Sequence, residues 1–191
     1  TVRTLFRLLA GILYAVCLSA CDAKEPLPEN RDAEIESPVI ANDLSNQKVT
    51  AIAEDTQGHI WIGTFRGLNK NNVHDYHQYF CTDDSLGLPD NQITHLLRDS
   101  KNRFWVGTVN GVCLYTDKDN FRIIPIEADN KNVRQILEDR NGRIFLSTGF
   151  QLYAYHPREE KITCVLPEIC TGNTFYAQCH IAPDNNLWVC L

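Results

Sequence analysis

An all-β fold built from repeated four-stranded units is what this sequence predicts, and three observations predict it. One segment recurs along the chain; each copy is a pair of apolar, β-branched runs flanking a turn signal; and an aromatic residue occupies the same place in every copy. VTAIAEDTQGHIWIGT begins at Val49, ITHLLRDSKNRFWVGT at Ile93, VRQILEDRNGRIFLST at Val133, and a weaker YAQCHIAPDNNLWVCL at Tyr176. The spacing, about 40 to 44 residues, is that of propeller blades. The expected fold is therefore a β-propeller of four-stranded blades, with about three and a half blades present and the ring incomplete.

The elements follow in order within each copy. The first apolar run is a strand, and the turn after it is marked by Asp55 to Gly58, Asp99 to Asn102 and Asp139 to Gly142. Asp at the first position can accept backbone N–H bonds, and Gly or Asn at the fourth suits a positive φ. The fourth copy has Ala182 in place of the Asp. A second strand carries the aromatic, and a third begins at Gly67 or Gly111. A fourth spans Tyr76 to Phe80 or Phe121 to Ile126. The first two strands of each copy are apolar at nearly every residue, as expected of strands packed between blades on both faces. Trp61, Trp105, Phe145 and Trp188 share one position, which predicts wedges in the core between blades rather than ligand contacts. Blades are expected at about 44–87, 88–128, 129–170 and, incomplete, 171–191.

Ahead of the repeats lies a different kind of sequence. Arg3 and Arg7 precede the apolar run Leu8 to Ala20, which is shorter than the roughly 20 residues that span a bilayer. Residues 1–21 are expected to be an export signal whose end, Leu18-Ser19-Ala20-Cys21, resembles a bacterial lipobox with Cys21 as the lipidated residue. An uncleaved anchor, or an ordinary cleavage site, is the alternative. Residues 22–43 hold Pro26, Pro28 and Pro38 among many charges, the composition of a flexible tether. The chain has no Met and opens on Thr1, so neither end is taken as a natural terminus.

Composition narrows the function. The formal net charge is −6, and loss of Arg3 and Arg7 with the leader would make it more negative, which argues against nucleic acid as a partner. The cysteines form no C-x-x-C pair, so a zinc site is not expected; Cys113 and Cys190, inside apolar runs, read as buried thiols, and Cys164 with Cys170 is the local pair to test for a disulfide. Phosphate-loop, dinucleotide, serine-hydrolase and zinc-protease motifs are missing, no catalytic carboxylate pair can be nominated, and no cofactor or metal is implied. His74, Asp75 and His77 fall on a strand whose alternation separates the two imidazoles.

The pattern N-x-V/I, D-x-x-G-x-I-W-I-G-T-x-x-G-L, carried by Asn46 to Leu68 and by Asn91 to Val112, resembles the two-component regulator propeller repeat. The third copy keeps Asn132, Val133, Asp139, Gly142 and Thr148 but has Ser147 in place of Gly. The resemblance implies the extracytoplasmic sensor region of a hybrid histidine kinase, whose ligand is commonly an oligosaccharide and whose kinase would lie beyond Leu191. With the first strand innermost, the loops after the second strands share one face. Phe65, Arg66, Asn110, Phe150 and Gln151 are the candidate ligand-binding residues there, together with Val109 and with Asp83, Asp84 and Asp90 of the longer connection. The open edges call for a second copy or the remainder of the propeller as partner. Two further readings stand beside the sensor: a free-standing glycan-binding or scaffold lipoprotein, favoured by Cys21, and an extracytoplasmic enzyme on a propeller.

Overall fold

A computed structural model of the chain describes residues 38–82, 86–116, 118–148, 151–165 and 178–190. The expected leader with Cys21, and the Cys164–Cys170 pair through Cys170, reach outside them.

Every described element is a strand. β1 (Val39–Ala41), β2 (Val49–Glu54), β3 (Ile60–Thr64), β4 (Gly67–Asn72) and β5 (Asp75–Tyr79) form the first sheet. β6 (Ile93–Arg98), β7 (Phe104–Thr108), β8 (Gly111–Tyr115) and β9 (Phe121–Ile124) form the second. β10 (Val133–Glu138), β11 (Ile144–Thr148), β12 (Leu152–His156) and β13 (Lys161–Cys164) form the third, and β14 (Gln178–Ile181) pairs with β15 (Leu187–Cys190). Each sheet is an antiparallel meander in chain order, and the first adds β1 beside β5. These are propeller blades. Val39–Ala41 lies within the stretch read as a tether: its short apolar run extends the edge of β5, pairing Ile40 with His77.

The turns form as the sequence indicates. Gly58, Asn102 and Gly142 have φ of 83°, 61° and 74°, and Asn185 does the same in the last copy at 67°. Each donates its N–H to the carbonyl three residues back. A tight turn followed by a left-handed residue gives the three-residue hairpin loop.

The first strands β2, β6, β10 and β14 lie side by side, which makes them innermost around a common axis. They are not the most deeply packed, contrary to expectation. β7 and β11 are buried at every residue, whereas β6 and β10 are buried only intermittently. A strand at the axis has one flank with no neighbouring strand of its own sheet, so part of it faces open space.

Packing between blades depends on glycine at one position. A Cβ on Gly63 would lie 2.5 Å from Ile93 Cγ2, and one on Gly107 would lie 3.0 Å from Val133 Cγ1. The last Gly of W-I-G-T therefore admits the next blade's first strand. Trp61 and Trp105 are fully buried and Phe145 nearly so, as expected of wedges. Trp188 is 65% exposed instead: Leu187 and Val189, on the other face of β15, pack towards Phe145 and Leu152 of the third sheet, while no described sheet covers the face that carries Trp188. The first sheet likewise leaves Val49, Ile52 and Ile60 uncovered. Cys113 is buried as expected, and burial pushes its thiol far up.

Candidate ligand-binding site

The two ends of the sheets differ in chemistry. At one end each repeated Asp is occupied by its own turn. Asp99 Oδ1 accepts the N–H groups of Lys101 and Arg103, both at 2.9 Å, while Oδ2 accepts the Trp105 indole N–H at 2.8 Å and Arg103 Nε at 2.6 Å. Asp55 holds Gln57, His59 and Trp61 in the same way. Asp139 holds Asn141 and Arg143 but has no indole to bond, since Phe145 stands in the Trp position. Burial pushes these carboxyls up, yet the donated hydrogen bonds outweigh it and hold all three below the ordinary carboxylate range.

Neighbouring turns are tied by one position. Arg98 donates to the Asp55 carbonyl at 3.0 Å, and Glu138, its counterpart in the next copy, accepts from the Ser100 N–H at 2.7 Å and from its hydroxyl. Both charged side chains thus bond to the turn of the preceding blade. Between the first two sheets this end has a cleft of about 260 Å³ lined by Lys70, Arg98, Tyr115 and Asp119 among others. Asp119 accepts the hydroxyls of Tyr79 and Tyr115, both at 2.7 Å, so the cleft's acids are already engaged.

The opposite end carries the loops nominated from sequence. Thr64 Oγ1 donates to the Gly67 carbonyl at 2.8 Å and accepts the Arg66 N–H at 3.1 Å, closing the turn, and Thr108 does the same for Asn110 and Gly111. In the third copy the Gln151 N–H bonds to Thr148 Oγ1 at 3.2 Å. Phe65 and Arg66 are exposed on the first loop, with Lys48 Nζ 3.7 Å from the Phe65 ring centroid; Asn110 is exposed on the second, and Gln151 is half-buried on the third. Phe150 lies outside the described residues, as do Asp83 and Asp84. Asp90 caps the approach to β6 by accepting the Gln92 N–H.

A recess of about 340 Å³ lies at this end; of the nominated residues Val109 lines it, while Phe65, Arg66, Asn110 and Gln151 do not. Its other walls come from Thr50, Thr94 and Arg134, from Gln92 and Asn132 just before the first strands, and from Ile93. Thr50, Thr94 and Arg134 are one repeated position, and each is a β-bulge. Pairing passes from Val49 to Ala51, from Ile93 to His95 and from Val133 to Gln135, so the register shifts at the residue between. Bulges re-aim side chains. A polar residue recurring second in the first strand of each of these copies was the sequence signal for this recess.

Among the described residues no group of His, Cys, Asp and Glu side chains could hold a metal ion. His77 and Asp75 approach to 4.0 Å on β5, while His74 lies in the preceding turn.

Residues 43–66 and 87–110 match the model of the two component regulator propeller family. These two segments are two-component regulator propeller repeats. The matched segments contain the Asx-capped approach, the first two strands, the Asp turn and the loop after the second strand in blades one and two. Two solved structures from Bacteroides thetaiotaomicron, extracellular domains assigned to hybrid two component systems, are similar. One has 22% identity and a TM-score of 0.62 over 75% of this chain and 20% of its own; the other has 21% and 0.63 over 78% and 21%. Virginiamycin B lyase from Staphylococcus aureus is similar at 21% identity and a TM-score of 0.58, over 79% of this chain and 52% of the lyase. At these identities the likeness establishes the propeller fold. This chain spans about a fifth of the length of the two extracellular domains. No curated protein matches it.

Proposed function

We propose that this chain is the N-terminal, extracytoplasmic ligand-sensing propeller of a two-component sensor of the hybrid histidine kinase type, and that it binds an oligosaccharide at the loop end of its blades. The observation that carries the reading is the coincidence of two-component regulator propeller repeats with a polar recess built at one repeated position of three successive first strands. The kinase belongs to the rest of such a sensor, and the N-terminal segment supplies the membrane tether. Ligand binding would act by favouring one of two arrangements of the propeller against its partner, through differential affinity for the two. The uncovered apolar residues of the first sheet and of β15 fit contact with the remainder of the propeller or with a second copy.

The test is thermal unfolding of the purified full chain against a panel of plant-type and host-type oligosaccharides. One or more members should raise the midpoint in a concentration-dependent way, as binding to the native state alone requires. A panel in which none shifts it would remove the saccharide reading.

One observation favours a second reading, a free-standing glycan-binding or scaffold lipoprotein. Leu18-Ser19-Ala20-Cys21 suits lipid attachment, which a sensor held by a later membrane span does not need. Radiolabelled palmitate should then enter the chain and be lost in Cys21→Ala; an unlabelled wild-type chain rules this reading out.

A further inference from the structure

Thr94 Oγ1 and Asn132 Oδ1 are both buried, both belong to residues lining the recess, and neither has a hydrogen-bond partner among the described residues. Buried polar atoms are nearly always paired, because leaving one unpaired costs about 1–3 kcal/mol. Two such atoms on adjacent blades, in residues that line one recess, call for a shared explanation. Thr94 is a bulge residue, held with its hydroxyl over the backbone of Gly107 and 3.3 Å from where a Cβ there would sit. Asn132 stands at the corresponding approach to the third blade, two residues before the bulge at Arg134. The sequence does not avoid the problem locally: a Val at 94 would fit the apolar run and leave no orphan.

The recess is also chemically selective. Its side-chain polar groups are hydroxyls, amides and one guanidinium, and no carboxylate lines it, although the chain as a whole is acidic. Its volume lies at the lower end of the roughly 300–1,000 Å³ of small-ligand sites. Hydroxyl and amide groups converging on such a space match a neutral ring bearing several hydroxyls.

Resting on the sensing function proposed above, we infer that Thr94 and Asn132 are the specificity-determining hydrogen-bonding residues of the site, receiving hydroxyl groups of one sugar unit. Asn132 Oδ1 accepts a ligand O–H, and the Thr94 hydroxyl donates to or accepts from a neighbouring one. The loop residues Phe65, Arg66, Asn110 and Gln151 then form the outer wall. A ligand lacking the matching hydroxyl leaves the two atoms unpaired and is discriminated against, as in sites built to bond a particular O–H.

The experiment uses the full chain and a panel of immobilised neutral tetrasaccharides of hexose and pentose units, with thermal unfolding measured in parallel. Thr94→Val removes the hydroxyl and keeps the shape. It should unfold at the wild-type temperature or above, since no protein hydrogen bond is lost, while binding at least about tenfold more weakly. Thr94→Ser should bind like wild type. Wild-type-like binding by Thr94→Val overturns the inference, and so does a midpoint lowered by several degrees, which would reveal a partner within the protein. If the wild-type chain binds no member of the panel, the sensing function itself fails and the inference falls with it. If the wild-type chain binds and Thr94→Val binds equally well, only the inference fails.

Discussion

At Asp99 four donors converge on one carboxylate, and the fully buried Trp105 indole depends on it. Asp99→Ala should therefore cost more stability than Asp139→Ala, by roughly the 1–3 kcal/mol of one orphaned buried donor, because Phe145 leaves no indole to strand. Calorimetry of the two variants checks the order. The same carboxylates set the acid limit. Their folded values lie below their unfolded ones, so the stability they contribute is complete above the ordinary carboxylate range and is lost as pH falls through the folded values. The thermal midpoint should hold near neutral pH and drop below about pH 4. Val73 makes the opposite point. It adopts φ of 57° in the two-residue turn between β4 and β5 while 84% exposed, a conformation a β-branched residue resists. Val73→Gly should leave the fold unchanged and raise the unfolding free energy by a few tenths to about 1 kcal/mol, measured by denaturant titration.

Strand against strand, the Gly of W-I-G-T decides how closely blades approach. Gly63→Ala drives a methyl into the stiff Ile93 side chain and should destabilise by about 1–3 kcal/mol. In the third sheet the same position is Ser147, whose buried Oγ has no partner among the described residues, so Ser147→Ala should be neutral or stabilising. Opposite signs at one repeated position would show that the next blade sets the constraint. The strands, the Asp turns and the wedging aromatics were all legible, because period, β-branching and turn residues act locally. The bulges at Thr50, Thr94 and Arg134 were not, since a shift of pairing depends on which residue the partner strand presents. The binding site was therefore expected in the loops, where Phe65 and Arg66 are, while the recess wall lies one step inward on the strands. Trp188 matched its counterparts in sequence yet stands exposed, because burial of a wedge is the property of two neighbouring blades.

Over the whole molecule, repetition produces both the scaffold and the site. Three successive sheets place one bulge each around a common axis, at the end opposite the Asp turns. The turn end is bound to itself through Arg98, Glu138 and Asn185, each reaching the preceding turn. Among the described residues, Thr94 Oγ1 and Asn132 Oδ1 at the loop end have no hydrogen-bond partner. A ligand that acts as a signal should thus engage the loop end and find the carboxylates of the turn end already engaged. The most direct measurement is amide hydrogen exchange of the full chain with and without the oligosaccharide that most raises its thermal midpoint. Slowed exchange concentrated at residues 47–51, 91–95 and 131–135 is the predicted result; slowing confined to 55–58, 98–104 and 115–119 would place the ligand in the turn-end cleft and contradict the account.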